Sequence, residues 1–416
     1  MFSGHHWLSL PALLDGSQVL LAMTPLESFL DNVRHNLFKP LLLFFYMGFL
    51  APILKVKFDF PNAVYQGLVI YLLVSIGWEG GERLAALEPS QLKVALGFMI
   101  VGFITNFIIG IAAYIALRSF TRLRQVDAAT VAGYYGSDSA GTFATCKGVL
   151  LTAHLAFAPY MPVMLAVMEI PGCLVALYLV SVLRRKGMDA RGNMPGEAGY
   201  DPSAKALARM HGDGHGHGHG HGEAAAAAAE DSVGESKPKG IFSPELLHEV
   251  FLNPGLFLLF GGIAIGFIAG LQGEAVTGPP NAVFTALFQG MLCLFLLEMG
   301  MTASRHLRDL KTAGWPFIAF GILAPNVFAT FGMCVAHVYS HLTGAQFDLG
   351  TYVMFAVLCG AASYIAVPAV QRLAIPEASP TLPLAASLGL TFSYNVTIGI
   401  PVYIEISKYL MKAFPV

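Results

Sequence analysis

The stretch YYGSDSAGTFATC, residues 134–146, sets Ser137, Asp138, Ser139 and Thr142 side by side inside an apolar run. Three hydroxyls and one carboxylate at this spacing form a donor set for a small ion. A carboxylate at the centre of a membrane span costs about 2.5–3.5 kcal/mol on insertion scales, so Asp138 needs a proton, a partner or a bound cation. Ser363, in GAASYIAVPAV, offers a fourth hydroxyl one turn before Pro368, which cannot donate a backbone hydrogen bond. Glu169 in VMEIPG precedes Ile170-Pro171, a kink signal, and ranks second to Asp138 as an ion-coupling acid. Among the other acids, Glu82 is expected at the interface with Arg83, and Glu298 is expected to pair one turn away with Thr302.

These residues sit in lipid, as the composition shows. The chain of 416 residues is 55% hydrophobic and 12% charged, with mean hydropathy +0.63, against about 25% charged in an ordinary soluble domain. Ten spans long enough to cross hydrocarbon are predicted near 39–56, 61–81, 92–117, 128–150, 154–183, 253–272, 279–302, 313–340, 349–371 and 381–410. Cys146, Cys173, Cys293, Cys334 and Cys359 all fall in spans without CxxC spacing, which makes them packing thiols. Lys and Arg gather on the loops that include residues 184–191 and 305–311, so that side is predicted to be cytoplasmic and both termini outside. Lys147 is counted with the sparse outer set. Residues 1–38 read as an interfacial or disordered segment: Asp15 breaks the first apolar stretch and no basic residue precedes it, against a secretory signal.

The two halves resemble each other in order. Pro40 and Gly48 answer Pro254 and Gly262; Gly67 and Gly77 answer Gly290 and Gly300; Ser137 and Asp138 answer Ser363 and Tyr364; Ile170-Pro171 answers Ile400-Pro401. A unit of five helices, an odd number, forces the second unit upside down, the inverted-repeat plan of secondary transporters. The units are 39–186 and 248–416. The fold class expected is an all-α integral membrane protein of ten helices in two inverted five-helix repeats, with helices four and nine broken and crossing. Such breaks expose N–H groups at one new helix end and carbonyls at the other, which favour anions and cations respectively. Gly262, Gly266 and Gly270 form a ladder that lets a neighbouring helix approach closely.

Residues 187–247 are read as a low-complexity linker on the cytoplasmic side. His211, His215, His217, His219 and His221 alternate there with glycine, and imidazoles of this kind can take Zn2+ or Ni2+. That motivates a rival function, a divalent-metal transporter regulated by the loop. Against it, the membrane histidines His154, His337 and His341 lie near outer span ends rather than in a ligand cluster.

The motifs SIGWEGGERLAAL, GSDSAGT, EIPG, MGMTASRHLRDL, AASYIAVPAVQRLAIPEASP and YNVTIGIPVY, in this order, resemble the sodium-dependent bicarbonate transporters known from cyanobacteria and many other bacteria. The resemblance implies crossed broken helices, a homotrimer in the bacterial inner membrane and a PII-like regulatory protein on the cytoplasmic face. It implies that Ser137, Ser139, Thr142 and Ser363 hold the anion, with Na+ beside it. The chain reads as a divergent member. Ala361, Ala362, Tyr364, Ala366 and Val367 stand where the family carries hydroxyls and an acid, and Asp138, the symmetry mate of Tyr364, is read as the acid returned from the other side. No hydrolase-like carboxylate pair, Ser-His-Asp arrangement or HExxH is present, and no nucleic-acid partner is expected at a net charge of −2. The function expected is sodium-dependent import of a small anion, bicarbonate first and another small carboxylate second.

Overall fold

The structure, a computed structural model, describes residues 38–203, 248, 250, 252–307, 310 and 314–416. The segment 1–37 and the histidines His211 to His221 lie outside the described residues. Lipid offers no hydrogen bonds to a backbone, so apolar runs must close their bonds internally, and helices do this. In chain order they are α1 Pro40–Ile53, α2 Asn62–Ala85, α3 Pro89–Phe120, α4 Gln125–Tyr135, α5 Ala140–Thr152, α6 Met161–Met168 and α7 Ile170–Arg185. The second half holds α8 Pro254–Gln272, α9 Glu274–Phe284, α10 Phe288–His306, α11 Trp315–Thr343, α12 Leu349–Gly360 and α13 Ala366–Ala374. The last segment runs from the single turn Leu382–Leu384 through the π-helical stretches Ala385–Phe392 and Asn395–Gly399 into α14 Ile400–Ala413.

Among the described residues, six segments are long and apolar enough to cross a membrane: Asn62–Ala85, Pro89–Phe120, Met161–Arg185, Pro254–Gln272, Glu274–His306 and Trp315–Thr343. The α1 and α12 helices are shorter apolar pieces. The expected spans 128–150 and 349–371 are both split, into α4 and α5 and into α12 and α13. The π-helical turns of the last segment carry no sequence signal of their own.

Helix α3 shows how the chain meets lipid. Ile100, Ile104, Ile108, Ile111 and Ile115 fall on one face at helical spacing and are exposed, while Ala95, Phe98, Gly102, Asn106, Ile109 and Ala113 on the other face are buried. The polar and small residues therefore face the protein and the large aliphatic ones face outward, as a bilayer requires.

Two close helix crossings organise half of the bundle. Gly77 and Gly81 of α2 lie against Gly262, Ile263 and Phe267 of α8, and Gly48 of α1 lies against Leu297 and Gly300 of α10, backbone to backbone. The helices α1, α2, α8 and α10 thus form one body; α3 to α7 pack with α11, α12 and α14 as a second.

Residues 187–203, assigned to the linker on composition, are folded onto the bundle. The Asp189 carboxylate accepts N–H bonds from Arg191, Asn193 and Asp201 at 2.7–3.0 Å, and Met188 and Met194 are buried. The composition of the Gly-rich stretch hid a turn built around one acid. Lys147 also differs from its expected place at an outer end: it is buried within α5.

A Cβ on Gly266 would run into the backbone of Trp78. Overpacking of this kind costs about 1–3 kcal/mol. Gly266→Ala is therefore expected to lower the thermal midpoint of the detergent-purified protein, whereas Gly261→Ala, with open space around it, leaves it unchanged. Equal midpoints for the two variants would contradict the crossing.

Candidate functional site at the crossed helix breaks

Helix α4 ends at Tyr135, the chain turns at Gly136, and Ser139 is extended, with φ of −136° and ψ of 114° that suit an N-cap. Ser139 Oγ accepts the Thr142 N–H at 3.3 Å and the Thr142 hydroxyl at 3.0 Å, which starts α5. In the other half α12 stops at Gly360, Ala361 is extended, and α13 starts at Ala366. The two breaks touch directly: the Ser363 N–H donates to the Tyr134 carbonyl at 2.8 Å. Ser363 Oγ in turn accepts the Val367 N–H at 3.5 Å.

Asp138 sits between the carbonyl end of α4 and the N–H end of α5 and is fully buried at 0% exposure. Neither of its carboxylate oxygens has a hydrogen-bond partner. It lies within electrostatic range of the Glu169 carboxylate and the Cys359 thiol. Glu169 is buried at the junction of α6 and α7, and its backbone carbonyl accepts the Ser137 hydroxyl at 2.6 Å. The six residues expected from sequence thus meet around the two breaks, but their hydroxyls are engaged: Ser137 bonds Glu169, Ser139 and Thr142 bond each other, and Ser363 caps α13. The Asp138 carboxylate, by contrast, is left without protein donors.

Several residues that hold this arrangement went unseen in the sequence. Pro171 has no N–H, and the carbonyls of Met168 and Glu169 just before it are taken by Asn106 Nδ2 at 3.0 Å and by Ser137. Asn106 is the one amide in the apolar stretch of α3 beyond its first turn, a signal that its solitude there could have given. The last segment supplies Asn395, whose Nδ2 bonds the Gly360 carbonyl at 2.9 Å. It also supplies Thr391, which meets the Tyr135 hydroxyl at 2.6 Å. The wide π-helical turns place both groups at the breaks. Tyr134 reaches across to Gln371 at 2.7 Å, tying α4 to α13.

A buried ion pair joins the two bodies. Lys147 Nζ of α5 lies 2.5 Å from Glu79 of α2 and 4.0 Å from the Phe288 ring centroid of α10. Arg83, exposed as expected, also reaches the other Glu79 oxygen at 2.6 Å. Glu82 accepts from Asn281 at 3.0 Å, and Glu298 accepts the Thr302 hydroxyl at 2.9 Å as expected. No group of three or more His, Cys, Asp or Glu that could hold a metal ion occurs among the described residues.

An all-helical chain with aliphatic faces turned outward and polar residues gathered at two interior breaks is a multi-pass membrane protein. The chain belongs to the Na+-dependent bicarbonate transporter superfamily, whose family model matches residues 40–408 and so takes in both halves and both breaks. That membership makes it a transporter. No curated protein matches the chain.

Removing one partner of a buried ion pair costs about 3–5 kcal/mol because the other charge is stranded. Glu79→Gln strands Lys147, whereas Lys147→Met leaves Glu79 with Arg83. Thermal unfolding of the two variants is expected to show the larger loss for Glu79→Gln; equal losses would mean that Arg83 does not hold Glu79.

Proposed function

We propose that this protein imports a small singly charged anion, bicarbonate, together with Na+, and that both bind at the crossing of the two breaks. The observation that carries the reading is the Asp138 carboxylate, fully buried and without hydrogen bonds at the joint between α4 and α5. A bound Na+ answers its charge, with the carbonyl end of α4 on the same side. The N–H end of α5 suits the anion. Without the cation, an anion about 4 Å from Asp138 would be repelled by about 4 kcal/mol at an effective dielectric of 20. Each ion therefore favours the other, which makes the coupling reciprocal.

The glycine crossings support the inverted repeat. Gly48 and Gly262 are equivalent in the two halves, as are Gly77 and Gly300. Gly77 lies on Gly262, and Gly300 lies on Gly48. A pseudo-twofold that exchanges the halves exchanges these two contacts. In this reading α1, α2, α8 and α10 are the static body, and the body that carries both breaks moves against it. The loop 187–247 faces the cytoplasm and both termini face outward. The assembly is a homotrimer in the inner membrane.

Uptake of labelled bicarbonate into proteoliposomes, with and without an inward Na+ gradient, tests this. Wild type is expected to accumulate bicarbonate only with Na+, and Asp138→Asn to lose that uptake by about tenfold or more. Accumulation that ignores Na+, or an unaltered Asp138→Asn variant, would refute the reading.

A further inference from the structure

Tyr364 lies in the second break, where its ring stands edge-on to Phe392 at 5.5 Å and 75°. The side chain is 7% exposed and its hydroxyl has no hydrogen-bond partner. The Ser139 hydroxyl lies alongside, outside hydrogen-bonding geometry. A buried hydroxyl without a partner is costly, and apolar neighbours would be served as well by phenylalanine.

The hydroxyl is not placed at random. A Cβ on Gly141 would clash with it, so the phenol oxygen rests on the second residue of α5. The first turn of that helix has N–H groups to offer: Thr142 and Phe143 donate to Ser139 Oγ and O, but Ala140 and Gly141 precede any carbonyl that the helix could supply to them. One O–H and two N–H donors therefore gather at one helix end. Glycine at 141 is what lets the phenol come this close.

We propose that Tyr364 is the specificity-determining donor of the anion site, and that with the Ala140 and Gly141 N–H groups it selects a singly charged oxyanion. The inference rests on the reading that the anion docks at the first turn of α5. A phenol adds a hydrogen bond without adding a positive charge, and Asp138 beside it opposes a second negative charge on the ligand. Oxygen acceptors such as bicarbonate, formate or nitrate fit this donor set; sulfate carries one charge too many, and chloride offers no directional acceptor.

The test compares proteoliposomes of the full chain with Tyr364→Phe and Gly141→Ala. Uptake of labelled bicarbonate is measured at saturating Na+, with formate, nitrate, chloride and sulfate as competitors, and each protein is melted in detergent. Formate and nitrate are expected to compete, and chloride and sulfate not to. Tyr364→Phe is expected to raise the KM for the anion about tenfold or more, since a hydrogen bond to a charged group is lost, with Na+ half-saturation unchanged. Its melting midpoint should not fall, because the variant removes an unpartnered buried hydroxyl. Gly141→Ala, whose methyl displaces the phenol, is expected to give the same rise in KM. An unchanged anion KM in Tyr364→Phe overturns the proposal, and so does an effect confined to Na+ or to melting. If wild type takes up labelled formate or nitrate and not bicarbonate, or does so without Na+, the transport reading fails while the same comparison on the transported anion still decides the role of Tyr364. Uptake of none of these anions overturns both.

Discussion

The hydrogen bond from the Ser363 N–H to the Tyr134 carbonyl joins two cuts in the helical backbone. In lipid no cut can be left to solvent, since each bare N–H or carbonyl there costs several kcal/mol. The chain therefore repairs its own breaks from the neighbouring elements. Asn395 takes the Gly360 carbonyl, Asn106 and Ser137 take those of Met168 and Glu169, and Ser139 caps α5. Once these repairs are made, the Asp138 carboxylate and the Tyr364 phenol still stand without hydrogen bonds at the crossing.

The same constraint explains the division into two bodies. Glycine contacts bring α2 onto α8 and α1 onto α10 with backbones in contact, so that part has little freedom to slide internally. The body with the breaks is bound to it by side chains, including the pair of Lys147 and Glu79. Charges held in a dry interface keep a strong preference for one geometry.

The larger features are legible in the sequence because they rest on composition and on helix breakers. Proline at 368 and the cluster at 137–139 predicted the two interruptions, and the apolar runs predicted the helices around them. The partners of the site were not legible. Asn106, Thr391 and Asn395 act on residues far away in sequence, and π-helical turns have no periodicity that a pattern can reveal. Lys147 was placed at an outer end because a single lysine near a span boundary looks the same whether it meets water or a buried glutamate. Residue type alone points to the serines as ligands, whereas their hydroxyls mostly serve the backbone. Tyr364 was counted as the loss of a polar group; its position over Gly141 depends on how the two breaks cross.

The central claim is that the two ions bind as a coupled pair at this crossing. Equilibrium binding of labelled sodium to the purified protein, at rising bicarbonate, measures that coupling without any transport step. The account predicts that bicarbonate raises the affinity for sodium, and that sodium raises the affinity for bicarbonate by the same factor. Sodium binding that is indifferent to bicarbonate would contradict it.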